Sequence, residues 1–282
     1  MPRTRTSLAL LAAATLATLA PTRADAAPTK ITWLGHAAFQ IVTPAGKVLL
    51  VDPWVKNPLN PSKDPVGDIK KADFIFITHG HGDHVGESVE IAKKTRAHLV
   101  ASFELGNNMV RLLGYPGNQV GMDTLGNMGG ELALGSDGEV SVWFVPAVHS
   151  SGLDAPGADA SKTAVAYGGN PVGFVIKIKG GPTIYHSGDT AFFRDMELIG
   201  ETAPPDLALI NIGGHFGMEP AMAVRAAKAV KAKVVVPHHY KTFPILTADA
   251  KPFFAGLDKA KIKHVDLAPG GTITFEGTAL QK

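Results

Sequence analysis

The chain has 282 residues, 45% of them hydrophobic, with 27 lysines and arginines against 25 aspartates and glutamates. That length and apolar content suffice for a sizeable core, and no basic run or aromatic-interleaved patch argues for nucleic acid. Cysteine is absent, which excludes disulfide scaffolding, thiolate catalysis and cysteine ligation of a metal.

Residues 1–26, MPRTRTSLALLAAATLATLAPTRADA, have the layout of an export signal: Arg3 and Arg5, an apolar stretch over 8–20, then the small-residue end Ala24-Asp25-Ala26. The stretch is too short to span a bilayer and no second run of membrane length follows. The expectation is a cleaved signal, no stable membrane anchor, a chain exported to the periplasm or medium, and a single domain over 27–282. Cleavage would remove Arg3, Arg5, Arg23 and Asp25, leaving equal numbers of acidic and basic residues. The partner expected of such a neutral chain is a small-molecule substrate.

From Lys30 onward, strand-like and helix-like runs interleave. KITWLG, AFQIVT and KVLLVD read as successive strands, the last two joined by a Pro44-Ala45-Gly46 turn. ADFIFIT is a short, continuously apolar run of the fully buried kind. A helix is predicted over 85–94, a strand at AHLVAS, and a second helix over 104–113. Further strands are predicted at EVSVWFVPA, GFVIKIK, TIYHS, DLALIN, KVVVP and TITF. Helices are expected over 192–199, over 219–231 with Pro220 in the first turn, and around 250–260. This alternation predicts α/β layering. Residues 55–68 and 150–171, rich in Pro, Gly, Asn and Asp, fit no element; loops of that length usually line a functional site.

The buried run ADFIFIT leads directly into ITHGHGDHVGE, with His79, His81, Asp83 and His84 inside six positions. On extended backbone alternate side chains share a face, so His79 and His81 point together, while Asp83 and His84 enter the next helix. Neutral imidazoles and a carboxylate suit zinc and its neighbours among the divalent ions. Four local ligands cannot complete two metal sites. The sequence supplies others at strand ends: His149 in PAVHSS, Asp189 in YHSGDT, and His238 and His239 in PHHYKTFP.

These four motifs, in this order, resemble the metallo-β-lactamase superfamily. WLGHAAF, DPW and GDTAFFRDM add a similarity to its branch of metal-dependent hydrolases related to ascorbate-phosphate lactonase and N-acyl phosphatidylethanolamine phospholipase D. The resemblance implies a four-layer αββα sandwich. It places His79, His81 and His149 on a first metal, Asp83, His84 and His239 on a second, and Asp189 between them, with His239 preferred to His238 because Tyr240 follows it. It implies two divalent ions, zinc with manganese as the alternative, sharing a hydroxide that attacks an ester-type bond such as a lactone. A phosphodiesterase and a non-catalytic exported metal-binding or ligand-binding protein are the alternatives. Asp83 could position the water, and metal-bound water, His186 or Tyr240 could protonate the leaving group. Asp52 could orient a ligating histidine. His36 and His186 match positions near the ligands, where they would touch the ligands or substrate or simply pack. His215 is expected at the surface or pocket rim, and His98 and His264 away from the site. The commonest metallo-β-lactamases proper would need a cysteine ligand, and a di-iron oxygen or nitric-oxide reductase an attached flavin domain; the sequence has neither.

Overall fold

The computed structural model describes Met1 and residues 27–156 and 163–281; the segment read as an export signal lies outside the described residues. The strands are β1 (Thr29–Trp33), β2 (Phe39–Val42), β3 (Val48–Val51), β4 (Phe74–Phe76), β5 (His98–Ser102), β6 (Leu125–Gly126), β7 (Glu131–Leu134), β8 (Val140–Pro146), β9 (Gly152–Pro156), β10 (Thr163–Tyr167), β11 (Val172–Ile178), β12 (Thr183–His186), β13 (Leu207–Asn211), β14 (Val234–His238), β15 (Lys263–His264), β16 (Thr272–Glu276) and β17 (Ala279–Leu280). The helices are α1 (Pro65–Asp68), α2 (Gly82–Val85), α3 (Ser88–Thr95), α4 (Phe103–Asn108), α5 (Met196–Thr202), α6 (Pro220–Ala229) and α7 (Lys251–Ala260).

Two mixed sheets result, ordered β17-β16-β1-β2-β3-β4-β5-β6 and β15-β14-β13-β12-β11-β8-β7. In each, an antiparallel half gives way to a parallel half, at β3–β4 in the first and β12–β13 in the second. The parallel strands β4, β13 and β14 are buried along their whole length, which is why they read as continuous apolar runs and not as alternation. Rings meet across the two sheets, Phe76 of β4 against Phe174 of β11 edge to face at 5.4 Å, and within the second sheet Phe144 of β8 meets Phe174 at 5.3 Å. Outside the first sheet, Leu50, Ile75 and Leu99 pack with Ile91 of α3 and Leu105 of α4. Outside the second, buried Ile199, Ala226 and Leu257 cover the sheet from α5, α6 and α7. No helix among the described residues is long and apolar enough to cross a membrane.

Several predicted boundaries move. The helix expected over 104–113 is α4 followed by one wider turn at Met109–Leu113 that closes on Gly114 at φ +73°, a conformation glycine adopts without strain. The helix expected over 192–199 begins later, as α5. The stretch 55–68 ends in α1, started by Pro65 and capped where Gly67 N–H donates to Asp64 Oδ1 at 2.9 Å. The stretch 150–171 is not structureless either. It contains the antiparallel ribbon β9–β10, whose glycine and proline content conceals its pairing.

Candidate metal centre

All the predicted ligands stand at the carboxyl ends of strands, where loops converge beside the switch from antiparallel to parallel pairing. Residues after β4 carry His79, and α2 carries Asp83 and His84 in one short turn. The segments after β8, β12 and β14 carry His149, Asp189 and His239. Because His238 ends β14 and His239 leaves it, the two neighbours face opposite ways. His239 sits at φ +60°, its N–H donating to His36 O at 3.0 Å. His36 and Asp52 also hold left-handed backbone, at φ +50° and +45°, so three non-glycine residues at the site carry strain the surrounding fold must over-determine.

Ligand-type atoms gather in three groups, each within 4.8 Å: His79, His81 and His149; His79, His84 and Asp189; and His36, Asp83, His84 and His239. Asp189 Oδ2 lies 2.9 Å from His239 Nε2, 3.4 Å from His84 Nε2 and 3.7 Å from His149 Nε2. The seven residues expected to ligate are therefore brought together, with Asp189 between the groups. His84 Nε2, His239 Nε2 and Asp189 Oδ1 are buried without a hydrogen-bond partner. Stranded buried polar atoms are costly, and a cation among them would satisfy all three, so the donor set fits a metal.

One buried carboxylate fixes the orientation of two of these histidines. Asp52 accepts Thr78 N–H at 2.8 Å on Oδ1, and the Thr78 hydroxyl at 2.7 Å and His84 Nδ1–H at 2.8 Å on Oδ2. The Thr78 hydroxyl has given its proton to Asp52, so at 3.0 Å from His79 Nδ1 it can only accept. With a cation in the cluster, both imidazoles would thus keep their proton on Nδ1 and turn Nε2 lone pairs toward it. His36, whose role the sequence left open, makes the corresponding contact to Asp83. Its Nε2–H donates to Asp83 Oδ2 at 3.1 Å, and Nδ1 meets the Thr242 hydroxyl at 2.8 Å.

Burial holds His79 well below the usual imidazole range and lowers His81 and His149, keeping them neutral and free to ligate. Burial also brings His36 down to about 4, against the opposing pull of Asp83. At Asp83 burial opposes ionisation, but the hydrogen bond from His36 and the charges of His84, His36 and His239 together outweigh it and hold the carboxyl below the usual range. At Asp189 the charges of His239 and His84 likewise overcome burial, and at His84 the charges of Asp189 and Asp52 do so in the opposite sense, raising it.

A cavity of about 570 Å³ opens over the cluster. His81, Asp83, His149, Asp189 and His239 form its floor, and Ser150, Phe216, Phe243 and Ile245 its rim. The structure brings neither His186 nor Tyr240 to it. His186 is fully buried with both ring nitrogens engaged by backbone, Nε2 donating to Ala37 O and Nδ1 accepting from Gly188 N–H, each at 3.1 Å. Tyr240 stacks on Trp33 at 5.5 Å, and burial pushes its hydroxyl up to about 12. His238 stacks on His186 at 4.6 Å, outside the cavity lining. His215 is exposed and does not line the cavity, whereas its neighbour Phe216 does.

Residues 47–240 match the beta-lactamase superfamily domain. The chain is 48% identical over 251 residues to a UPF0173 metal-dependent hydrolase of Thermodesulfovibrio yellowstonii, spanning 88% of this chain and 92% of that one. It is 46% identical over 248 residues to a UPF0173 metal-dependent hydrolase of Anaeromyxobacter sp. strain K, spanning 88% and 87%. Among solved structures it is similar to Igni18, a metallo hydrolase from the hyperthermophilic archaeon Ignicoccus hospitalis, with TM-score 0.75 and 34% identity over 89% of this chain and 99% of that one. An isothiocyanate hydrolase from Delia radicum gut bacteria shares the fold, with TM-score 0.64 and 20% identity over 88% and 99%. Two mixed sheets between helices, a histidine and aspartate cluster at their carboxyl ends, and relatives this near over almost the whole chain lead to one assignment: the chain belongs to the UPF0173 metal-dependent hydrolases of the metallo-β-lactamase superfamily.

Proposed function

We propose that this hydrolase holds two divalent ions, zinc with manganese as the alternative, and cleaves an ester-type bond such as a lactone. The observation that carries the reading is the placement of Asp189 Oδ2 within 3.7 Å of a nitrogen from each of His84, His149 and His239. His79, His81 and His149 would hold one ion, Asp83, His84 and His239 the other, and Asp189 both. A pair of ions so held supplies Lewis acidity and a hydroxide nucleophile at neutral pH. Asp83, ionised throughout the physiological range and anchored by His36, orients the attacking water as a hydrogen-bond acceptor and does not store its proton. With His186 and Tyr240 outside the cavity, the leaving oxygen takes its proton from water entering the open mouth. The branch similarity to lactonases and lipid phosphodiesterases supports hydrolysis at oxygen, and the signal-like residues 1–26 support export of the chain.

Elemental analysis of folded, metal-replete protein is expected to approach two ions per chain, and a lactone and ester panel to show turnover. Asp189→Asn keeps the size but lowers the charge between the ions, and should reduce turnover by about a hundredfold or more at saturating metal. One ion or none, or cleavage confined to phosphodiesters, would overturn the respective part. The exported chain should begin near Ala27.

A further inference from the structure

The cavity rim is unusual in what it leaves open to solvent. Phe216, Phe243 and Ile245 are 52, 39 and 53% exposed, all lining the same cavity. Large apolar side chains clustered in one open patch mark a binding surface. They are also held in place. Phe243 stacks face to face on Trp54 at 5.6 Å with 13° between the planes, and His36 meets its edge at 5.9 Å. Trp54 is wedged in turn against Gly86, at φ +43°, where any Cβ would collide with the Trp54 backbone. The loops bearing Phe216 and Ile245 are tied by Thr247 N–H to Gly213 O at 3.3 Å and a bridge between Gly214 and Leu246.

Charge is the second observation. Among the described residues lining the cavity there is no lysine or arginine, and outside the candidate ligands Ser150 is the only polar side chain. Lys241, the nearest cation in sequence, extends over the Tyr240 ring at 5.4 Å. Recognition of phosphate or carboxylate ordinarily uses such side chains, in bidentate pairs or as point charges. A substrate anion pressed against this wall would lose hydration with no cationic side chain to replace it.

We propose that Phe216, Phe243 and Ile245 select a neutral substrate carrying an apolar acyl chain or ring, against a phosphorylated or otherwise anionic one. The inference rests on reading the cavity as the hydrolytic site. Its volume, about 570 Å³, accepts a substituent of moderate size beside the scissile bond.

The test uses metal-replete protein and two readouts. The first is kcat/KM on neutral p-nitrophenyl esters of increasing acyl length, with p-nitrophenyl monoesters whose acyl chain ends in a carboxylate as the anionic comparators. The second is calorimetric Kd for uncleavable N-alkyl pyrrolidinones of the same lengths, with pyrrolidinones whose alkyl chain ends in a carboxylate as comparators. Affinity and kcat/KM should rise about two- to fourfold per added methylene until the cavity is filled, the upper figure corresponding to full burial. Phe216→Ala and Phe243→Ala should each flatten that dependence without altering metal content, whereas Phe216→Leu and Phe243→Leu should keep most of it. Chain-length independence in wild type, or tighter binding of the carboxylate-ended pyrrolidinones than of neutral ones of equal length, would overturn the proposal. If no ester is cleaved yet Kd still falls with length, the ester assignment fails alone and the selectivity of the wall stands.

Discussion

Replacing Asp52 by asparagine tests whether one carboxylate sets the tautomer of two ligands. Asparagine at this position can still accept Thr78 N–H through its carbonyl. Its amide NH2, however, replaces Oδ2, which accepts from the Thr78 hydroxyl at 2.7 Å and from His84 Nδ1–H at 2.8 Å. Two donors then face each other. His84 relieves the clash by moving its proton to Nε2, the nitrogen that faces Asp189 at 3.4 Å, where it blocks ligation. The Thr78 hydroxyl, freed from Asp52, can turn to donate to His79 Nδ1 and shift that tautomer too. Loss of an outer hydrogen bond of this kind costs about 10–100-fold in metal affinity, or about 1.4–2.7 kcal/mol. Because His79 and His84 would hold different ions, both ions should bind more weakly. Competition against a chromophoric chelator, followed through both binding steps, measures the effect. Unchanged affinity in Asp52→Asn, with fold intact by circular dichroism, would show that the carboxylate does not control the tautomers; weakening of only one step would remove the Thr78 branch.

Three further outcomes follow from the same geometry. His239→Ala should lose one ion, while His238→Ala, altering a ring outside the cavity lining, should retain both; metal analysis of the two purified variants decides between them. Phe174→Ala removes the ring shared by both sheets and should cost about 3–5 kcal/mol in urea unfolding of the metal-free protein; a loss under about 1 kcal/mol would contradict the interlocked packing. Acid should also weaken metal-free protein through His36. Its folded value of about 4 lies below the ordinary 6.5, so its stability contribution is full above pH 6.5 and is lost as pH falls toward 4, on the order of 3 kcal/mol in all. His36→Gln should flatten that slope.

The ligands were legible because metal binding compresses its signature into short strings: three histidines and an aspartate directly after a buried strand suit little besides a metal. Their neighbours were harder to assign. His36 lies 47 residues from Asp83, and nothing local in WLGHAAF distinguishes a ring that reaches a carboxylate from one that merely packs. His186 looks like a proton donor beside GDT, yet only the fold, which brings Ala37 from the segment after β1 against it and turns Gly188 back, reveals that backbone consumes both its nitrogens. Fully buried strands such as β13 were found by apolar runs alone, whereas β6, β15 and β17, two residues each, take their conformation from the sheet they edge and carry no pattern of their own. The ribbon β9–β10 is hidden for a related reason: Leu153 and Ala155 of β9 face inward, but Ala164, Val165 and Tyr167 of its partner are exposed, so the pair shows no shared alternation.

Asn211 gives the two sides of the substrate wall different evolutionary prospects. Its buried amide donates to Gly188 O at 3.0 Å, next to Asp189, and its carbonyl accepts from Met218 N–H at 3.2 Å in the loop that carries Phe216. Remodelling that loop for a new substrate pulls on the residue between the metal groups, so changes there should be epistatic with ligand geometry and rarely tolerated singly. Phe243 rests instead on Trp54, in the segment after β3. Substitutions on that side can be sampled with less interference, and a laboratory lineage evolving toward new esters should acquire its first adaptive changes around Phe243.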